Sequence, residues 1–439
     1  MNNPKILFAT MPLDGHFNPL TGLAVYLKQQ GYDVRWYTGG TYADKAERIG
    51  IQAYRFQKAQ VINQENMDEL FPERVAIKGA LGKIKFDVKN IFVLPISNYI
   101  VDLKEVYKEF PFDIVVGDVG FSALQVVRHV FNVPIVGMGI LPIPQTSRDL
   151  PPNGLGLTPD KSLFGRMKQS ILRFITNRVM KESTQTYNEV IKPFGLKPEH
   201  GTIFDIAVRV PDVYLQSGTP NLEYERSDLS PNVRFVGPLL PYASGPKRPF
   251  TQPAKLEQYK KVVLVTQGTV ERDVEKLLVP TLEAYKNTDT LVIATTGGSG
   301  TAALRARFPY DNVIIEDFID FNSIMPRVDV YVTNGGYGGV LLSIQNRLPM
   351  VVAGVHEGKN EIAARVGYFK LGVNLKTETP KPAQIRQAVD QVLKDKQYKR
   401  NVAKLSQEFS EYNPNQLCEH YISNLLVKHS KPALLEAVA

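Results

Sequence analysis

Short apolar segments rich in β-branched residues alternate with helical segments along this chain, in two separate runs. In the first run, predicted strands and helices fall at residues 5–9, 18–30, 33–37, 113–117, 122–131 and 134–138. In the second run, they fall at residues 261–266, 274–286, 291–295, 313–316, 328–332, 350–353 and 360–368. Strands that are apolar throughout and are connected through helices are typical of parallel sheets covered on both faces. The fold class predicted is therefore α/β, with two parallel-sheet domains.

The two runs are separated by a segment that is unfavourable for regular structure. Residues 237–253 contain five prolines, which lack the amide donor that a helix or a central strand needs. We therefore predict an N-terminal domain at residues 1–240, a linker at 241–257 and a C-terminal domain at 258–410. A C-terminal helix and tail at 411–439 are expected to pack back toward the N-terminal domain. A length of 439 residues is compatible with this division.

Composition excludes several classes of protein. A single cysteine, Cys418, rules out a disulfide framework and a cysteine-rich metal site. The chain enters a strand almost at once, without a secretory signal, and it has no apolar run of the roughly 18 residues that a membrane span needs. We therefore expect a cytoplasmic enzyme. The net charge is +8, but the basic residues are scattered and no nucleic-acid-binding motif occurs, so nucleic acid is not an expected partner.

One basic segment, residues 161–181, has an amphipathic pattern. Apolar side chains from Leu163 to Ile175 alternate with basic side chains such as Arg166 and Arg173. We predict a helix that packs its apolar side on the N-terminal sheet and exposes its basic side to solvent. A helix lying on a membrane surface is the alternative, and weak membrane association is compatible with it.

Two polar residues stand where the first domain is expected to bind a ligand. His16 follows the first strand and Asp118 follows the strand at 113–117, and ligands of open α/β sheets bind at the carboxyl ends of strands. An imidazole can accept a proton from a hydroxyl at neutral pH, and a neighbouring carboxylate orients it. Alternatively, His16 caps or hydrogen-bonds the structure, and Asp118 caps the helix near residue 122.

The second domain contains a glycine-rich turn between the strand at 328–332 and the next helix. Gly335, Gly336, Gly338 and Gly339 allow the backbone to approach a ligand closely, and the amides at a helix start attract anions. This pattern predicts a diphosphate site, although a structural turn could use the same glycines. No Asp-x-Asp triplet and no metal-ligand spacing of histidine or cysteine is found. We therefore expect backbone amides, and not a metal ion, to neutralise the diphosphate.

These segments resemble glycosyltransferase family 1, the inverting transferases with the GT-B fold, over nearly the whole chain. The resemblance is carried by Gly15-His16-Phe17-Asn18-Pro19, by Asp118, and by the region 318–366 with "VDVYVTNGGYGG", "LPMVVAG" and "EGKNEIAARV". The style of this region is closest to a bacterial and fungal branch. The resemblance implies two Rossmann-like domains facing a cleft. It also implies a monomeric or homodimeric enzyme that moves a hexose, glucose by default, from a UDP-sugar to a hydroxyl of a small hydrophobic acceptor.

The resemblance also implies roles for individual residues. His16 would be the base and Asp118 its partner. The donor would be bound by Gly268, Thr269, Phe318, Ile319, Asn334, Gly336, Gly338, Gly339, Glu357, Lys359 and Asn360. No prosthetic group and no metal would be needed.

Three positions depart from the usual pattern of the family. Asn334 stands where the family usually has histidine, Leu342 where many members have a glutamate for the ribose, and Gly358 follows Glu357 where many members have glutamine. Asparagine can donate a hydrogen bond to a phosphate oxygen but adds no charge. We interpret these departures as a variant donor site.

The acceptor wall is predicted from aromatic and aliphatic residues in two segments of the first domain, around residues 86–100 and 139–146. These residues are Phe86, Phe92, Tyr99, Leu141 and Ile143. The same side chains would suit a hydrophobic core. Three other functions remain open at this stage: a GT-B sugar-nucleotide epimerase, a non-catalytic partner protein that binds sugar nucleotides, and a membrane-associated lipid glycosyltransferase.

Overall fold

A computed structural model describes residues 3–63, 66–242, 250, 252–268, 271–356 and 358–430. Thr269, Glu357, residues 243–249 and 251 of the predicted linker, and residues 431–439 of the predicted tail lie outside this description. The chain forms two compact units. Unit 1 comprises Met1–Leu155, Pro159–Ala243 and Tyr412–Ala439, and unit 2 comprises Gly156–Thr158 and Ser244–Glu411.

Each unit is built on one parallel sheet, which confirms the predicted α/β class. The strands are β1 Lys5–Ala9, β2 Asp33–Thr38, β3 Gln52–Arg55, β4 Ile114–Asp118, β5 Ile135–Gly139, β6 Val213–Ser217, β7 Val233–Gly237, β8 Lys261–Thr266, β9 Thr290–Thr295, β10 Val313–Glu316, β11 Val330–Thr333, β12 Met350–Val352 and β13 Gly372–Asn374. The sheet of unit 1 has the order β3-β2-β1-β4-β5-β6-β7, and that of unit 2 has the order β10-β9-β8-β11-β12-β13.

Helices connect the strands in both units. They are α1 Asp14–Gln29, α2 Thr41–Arg48, α3 Met67–Leu70, α4 Pro72–Ala76, α5 Ala80–Asp87, α6 Ile96–Glu109, α7 Leu124–Phe131, α8 Leu163–Ile191, α9 Ile203–Arg209, α10 Lys255–Gln258, α11 Leu278–Tyr285, α12 Thr301–Arg307, α13 Phe321–Ile324, α14 Tyr337–Gln345, α15 Lys359–Tyr368, α16 Pro382–Lys394, α17 Lys396–Ser410 and α18 Pro414–Ser430. A π-helical segment, Val88–Val93, continues α5, and single 3₁₀ turns occur at Lys192–Phe194, Pro220–Leu222 and Met325–Arg327.

Alternate residues of each central strand pack into cores on opposite faces of the sheet. Ile6 and Phe8 of β1 pack with Trp36 and, on α18, with Ile422. Their neighbours Leu7 and Ala9 belong to the core on the other face, with Tyr99 of α6. Both faces of the sheet in unit 1 are therefore covered, which is why its central strands β1, β4 and β5 are apolar at nearly every position.

Helix α1 begins at Asp14, four residues before the predicted start at residue 18. Pro19 favoured a later start, because proline is common in the first turn of a helix. Leu13 instead has an extended backbone before the helix, and its carbonyl accepts hydrogen bonds from the amides of His16 and Phe17. His16 therefore lies in the first turn of α1 and not in a loop.

The prediction for the basic segment was wrong about which side of the helix faces the protein. The segment forms the first half of α8, but six of its apolar side chains are exposed and the buried positions include Gly165, Gln169 and Thr176. A Cβ atom at Gly165 would lie 2.1 Å from Cγ of Asp160, and Gln169 Nε2 donates to the carbonyl of Asp160 over 2.6 Å. The polar side faces the protein because the second half of α8 buries Met180, Tyr187 and Ile191 in the core on the same side of the helix. Within the described part of the chain, no helix is long and apolar enough to cross a membrane.

Candidate active site

The sheet of unit 1 has a topological switch point between β1 and β4. The chain leaves β1 toward β2 and β3 on one side and later returns to β4 on the other side. The connections that leave the carboxyl ends of β1 and β4 therefore diverge, and such crevices bind ligands in open α/β sheets. His16 stands on α1, which follows β1, and Asp118 is the last residue of β4.

The structure brings these two side chains into direct contact. His16 Nδ1 lies 2.5 Å from Asp118 Oδ1, and the carboxylate of Asp118 is fully buried whereas 15% of the imidazole is exposed. The carboxylate also accepts hydrogen bonds from the amides of Met11 (2.9 Å) and Gly120 (2.6 Å). Because a carboxylate accepts hydrogen bonds, Nδ1 carries the proton and Nε2 is left as the acceptor. The pair can therefore take a proton at Nε2.

Sequence reasoning missed Gly120, although it follows Asp118 by only two residues. A Cβ atom at this position would lie 2.7 Å from His16 Cε1 and 2.9 Å from Asp118 Oδ1. Glycine is therefore required for the imidazole to keep its place beside the carboxylate. A glycine two residues after an acid at a strand end could have indicated such an approach.

The five predicted acceptor residues differ in how much of their surface is exposed. Phe86 and Phe92, on α5 and the π-helical segment, are partly buried, and the Phe92 ring centroid lies 6.3 Å from that of His16. Leu141 is also partly buried. Tyr99 and Ile143, by contrast, belong to hydrophobic cores, with 0% and 2% of their surfaces exposed. Because these two residues offer no surface to a ligand, they are not proposed as acceptor-binding residues.

Burial has a further consequence for Tyr99, which packs beside the pair. Burial, followed by the charge of Asp118, raises the pKa of Tyr99 well above its usual range. Its hydroxyl therefore stays neutral and contacts Sδ of Met11 at 3.5 Å. Tyr99 is therefore a packing residue beside the pair and does not act as a proton acceptor.

The sheet of unit 2 has its own switch point, between β8 and β11. Gly268 follows β8, and Asn334 follows β11. Asn334 Nδ2 donates a hydrogen bond to the carbonyl of Gln267, so the two loops are linked directly across the switch point. The structure thus gives the asparagine amide a partner within the protein.

The start of α14 is open at this switch point. A Cβ atom at Gly338 would meet nothing within 4 Å, whereas one at Gly339 would lie 3.3 Å from the Tyr331 hydroxyl oxygen. Gly336 precedes the helix in an extended conformation. The first amides of this nine-residue helix cannot pair within the helix itself, and helix starts of this kind bind anions.

Gly354 is a second residue that sequence reasoning missed. A Cβ atom there would lie 2.0 Å from the carbonyl oxygen of Asn334. Any side chain at position 354 would therefore displace the loop after β11. The signal available in the sequence was a lone glycine directly after the strand residues "VVA".

The other predicted donor residues follow strands at the same edge of the sheet. Phe318 and Ile319 come after β10, and Lys359 and Asn360 begin α15 after β12. The Phe318 side chain is 55% exposed, and the loop after β9 lies below it, with a Cβ at Gly298 expected 3.5 Å from the ring. Because all the strands are parallel, their carboxyl ends place these residues along one edge.

Glu378, which the sequence did not single out, holds the loop that precedes α15. Its Oε1 accepts from the amides of Val355 (3.3 Å) and His356 (3.0 Å) and lies 2.8 Å from His356 Nδ1. Burial acts to raise the pKa of Glu378, but the hydrogen bonds from the side chain and backbone of His356 outweigh it and lower that pKa. The loop leading to Lys359 is therefore attached to a charged carboxylate.

Among the described residues, no group of three or more histidine, cysteine, aspartate or glutamate side chains could hold a metal ion. The candidate anion-binding groups at the edge of unit 2 are the backbone amides at the start of α14. This arrangement can bind a diphosphate by hydrogen bonds and by the dipole of α14.

Comparison with known proteins shows which family the chain resembles. Residues 280–423 match the family described as erythromycin biosynthesis protein CIII-like, C-terminal domain. The chain is 36% identical to 4'-demethylrebeccamycin synthase of Lentzea aerocolonigenes, over 92% of this chain and 96% of that protein. It is 30% identical to UDP-glucosyltransferase 1 of Beauveria bassiana, over 93% of this chain and 92% of that protein. The solved structure of CalG4, the calicheamicin glycosyltransferase, matches with a TM-score of 0.73 and 19% identity, over 97% of this chain and 99% of that one.

Proposed function

This chain belongs to glycosyltransferase family 1 and has the GT-B fold, and from that premise we propose that it transfers glucose from UDP-glucose to a small hydrophobic alcohol or phenol, with inversion at the anomeric carbon. Membership makes the chain a glycosyltransferase that uses a sugar-nucleotide donor. Neither the epimerase nor the non-catalytic partner protein is therefore retained.

The observation that carries the proposed mechanism is the contact between His16 and the buried carboxylate of Asp118. The acceptor hydroxyl gives its proton to His16 Nε2 while its oxygen forms a bond to the anomeric carbon. The bond between that carbon and the diphosphate oxygen breaks on the opposite face, and UDP leaves with the electron pair. Asp118 stabilises the imidazolium that results, and its bonds to the amides of Met11 and Gly120 keep it in position.

The donor is proposed to bind at the carboxyl edge of unit 2. The amides of Gly336, Gly338 and Gly339 would bind the diphosphate, supported by Gly268 and Thr269 in the neighbouring loop. The open space at Gly338 and the direction of the α14 dipole support this assignment. No metal ion is needed if the helix start neutralises the leaving group.

The uracil and the sugar of the donor are assigned to the loops that flank the proposed diphosphate site. The exposed ring of Phe318 would stack on the uracil, and the backbone of Ile319 would contact its edge. Glu357, Lys359 and Asn360 would bind the sugar hydroxyls, because they follow β12 along the chain. UDP and glucose are the donor parts named for the relative from Beauveria bassiana.

The acceptor is proposed to lie against Phe86, Phe92 and Leu141. Phe92 supports this choice, because its ring is close to that of His16 and is partly accessible. Aromatic and aliphatic walls favour a flat or greasy alcohol, such as a terpenoid, a polyphenol or a macrolide.

The direct test is incubation of the purified chain with UDP-glucose and a panel of such acceptors, followed by mass spectrometry and NMR of the products. We expect a β-glucoside from the α-linked donor and release of one UDP per glucoside. The same reaction with dTDP-glucose tests the nucleotide. A glucoside of retained configuration would refute the mechanism, and a rearranged sugar nucleotide formed without acceptor would refute the proposed transferase reaction.

A further inference from the structure

The first half of α8 carries an exposed apolar surface, which we call the outer face of α8. Its six side chains fall on one side of the helix, and 88%, 71% and 68% of Leu163, Phe164 and Phe174 are exposed. The complete face is Leu163, Phe164, Met167, Ile171, Phe174 and Ile175. Scattered exposed apolar residues are ordinary, but a continuous apolar stripe usually marks an interaction surface.

The helix cannot hide this face by turning about its axis. Ser162 caps the helix by accepting from the amide of Gly165 over 3.0 Å, and Gln169 is bound to the Asp160 carbonyl. Arg173 donates to the carbonyl of Leu150 over 2.7 Å. The bond of Arg173 and the burial of Met180 and Tyr187 on the same side of the second half of the helix fix the polar side inward, so the apolar side is held toward solvent.

The charges within the segment that carries the outer face of α8 are of one sign. Residues 161–181 contain six basic side chains and neither aspartate nor glutamate: Lys161, Arg166, Lys168, Arg173, Arg178 and Lys181. Lys161 is bound to Glu225 at 2.8 Å, and Asp149 and Asp160 interact electrostatically with Arg166 and Lys168. Arg166, Lys168 and Arg178 are nevertheless exposed. The first acidic residue after the segment, Glu182, is engaged by Lys85 and Lys89.

We propose that the outer face of α8 docks on an anionic phospholipid surface. An apolar stripe flanked by cations is the pattern of helices that lie in the plane of a membrane interface. Phe164, Ile171 and Phe174 would enter the region between headgroups and acyl chains. Arg166, Lys168 and Arg178 would bind phosphate and carboxylate headgroups. Each basic residue near such a surface strengthens binding by roughly fivefold.

The charge also argues against a second copy of this chain as the occupant. Pairing two outer faces would bring together two segments that each carry six basic side chains and neither aspartate nor glutamate. Like charges at an interface oppose association. An anionic bilayer has the complementary charge and does not require a shaped groove.

Docking would place the acceptor side of unit 1 near the lipid, a consequence that rests on the proposed function. The second half of α8 contacts the π-helical segment Val88–Val93, and Glu182 binds Lys89 of that segment at 2.9 Å. The same segment carries Phe92, next to His16. A hydrophobic acceptor concentrated in the bilayer would thus be close to the base.

Flotation of the full chain with phosphatidylcholine vesicles, with and without phosphatidylserine, tests docking without any enzyme assay. We expect the wild type to float with the anionic vesicles and to be released by high salt. The combined variant Phe164→Gln, Ile171→Gln and Phe174→Gln should lose binding by roughly 10-fold or more. The variant Arg166→Gln, Lys168→Gln and Arg178→Gln should lose the preference for anionic lipid.

The matched control is Val427→Gln, which replaces an exposed apolar residue of α18, also in unit 1. It should float like the wild type, and all variants should keep the melting temperature of the wild type, because only exposed side chains change. Absence of flotation, equal flotation with both vesicle types, or unchanged flotation of the apolar variant would each overturn the proposal. A dimer that the apolar variant dissociates in the absence of vesicles would show a second copy to be the occupant and would also overturn it.

Adding phosphatidylserine vesicles to the glucosylation assay separates docking from function. With a lipophilic acceptor, we expect the apparent KM of the acceptor to fall for the wild type and not for the apolar variant. Flotation without transfer of glucose would leave docking intact and refute the proposed function. Transfer of glucose without flotation would leave the proposed function intact and refute docking.

Discussion

At the scale of single residues, the most constrained group is the carboxylate of Asp118. It is fully buried and accepts hydrogen bonds from His16 Nδ1 and from the amides of Met11 and Gly120. A buried charge without partners would be strongly destabilising, so these bonds are a condition for having the carboxylate there at all. They also orient His16, and two predictions follow from that.

Replacing His16 by alanine should reduce kcat by roughly 10²–10⁴-fold, because a general base acts in the transition state. Affinity for UDP, measured by isothermal titration, should stay close to that of the wild type, since no proposed donor contact involves His16. His129→Ala, which removes an exposed histidine of α7, is the control and should keep normal turnover. Near-normal kcat in the His16 variant would exclude this residue as the base.

Replacing Gly120 by alanine should lower kcat by up to about 10²-fold, since the new methyl group would displace the His16 imidazole. Gly120 is not among the glycines with a left-handed backbone, so the substitution tests contact and not backbone strain. The KM for UDP-glucose and the melting temperature should change little. Gly367→Ala adds a methyl group at 3.5 Å from its nearest neighbour and should be tolerated. Equal kcat in both variants would contradict the positioning role of Gly120.

At the scale of secondary-structure elements, each sheet has a switch point, where the strand order reverses and the connections after two neighbouring strands diverge. In unit 1 the elements that diverge are β1 and β4, and in unit 2 they are β8 and β11. His16 and Asp118 meet at the first point, and Gln267 and Asn334 are bonded at the second. The second contact is a link between loops, which changes what Asn334 is expected to do.

Asn334→Ala should lower the free energy of unfolding by about 1–3 kcal/mol in urea titrations, the cost of leaving the buried carbonyl of Gln267 without its partner. It should also weaken UDP binding, because the loop after β11 is loosened. Asn334→His should bind UDP nearly as well as the wild type, because an imidazole can donate to the same carbonyl. Isothermal titration measures both.

The control is Asn346→Ala, which removes a 2.8 Å bond from asparagine to the Leu342 carbonyl at the other end of α14. This variant should lose stability without losing affinity for UDP. If all three variants bind UDP like the wild type, backbone amides alone hold the diphosphate.

At the scale of the whole molecule, we expect catalysis without a metal ion. Excess EDTA should leave kcat unchanged, because the dipole and amides of α14 take the place of a cation at the diphosphate. The measurement is a UDP-release assay with EDTA and with added Mn²⁺ or Mg²⁺. A loss in EDTA that Mn²⁺ restores would contradict the proposed diphosphate site.

Helix α18 should contribute strongly to the stability of unit 1. Ile422 of α18 is fully buried in the core that contains Ile6 and Phe8. Ile422→Ala should therefore lower the free energy of unfolding by about 2–5 kcal/mol in urea titrations. Val427→Ala, at an exposed position of the same helix, should change it by less than about 0.5 kcal/mol. Similar losses in both variants would mean that α18 is not packed as described.

The strands that the sequence predicted were placed well, whereas β3, β6, β7 and β13 were not predicted and helix limits were predicted less well. The predicted bounds of β1, β8 and β10 agree with the structure, because a run of buried β-branched residues ends where polar or turn residues begin. Helix ends depend on caps and on neighbouring groups, so α1 began four residues early despite Pro19. The roles proposed for the site residues remain predictions.

The sequence by itself determined the fold class, the family and the motifs that place His16, Asp118 and the glycine-rich turn at strand ends, because these depend on periodicity and local residue type. Tertiary structure alone decided which groups meet. The contact of Gly120 with the imidazole and the bond from Asn334 to Gln267 join segments that are distant in sequence. It also decided that the first half of α8 turns its polar side inward, since the second half of the same helix buries Met180, Tyr187 and Ile191 in the core and so fixes the rotation of the whole helix. An amphipathic pattern shows that a helix has two sides, but only its neighbours determine which side is buried.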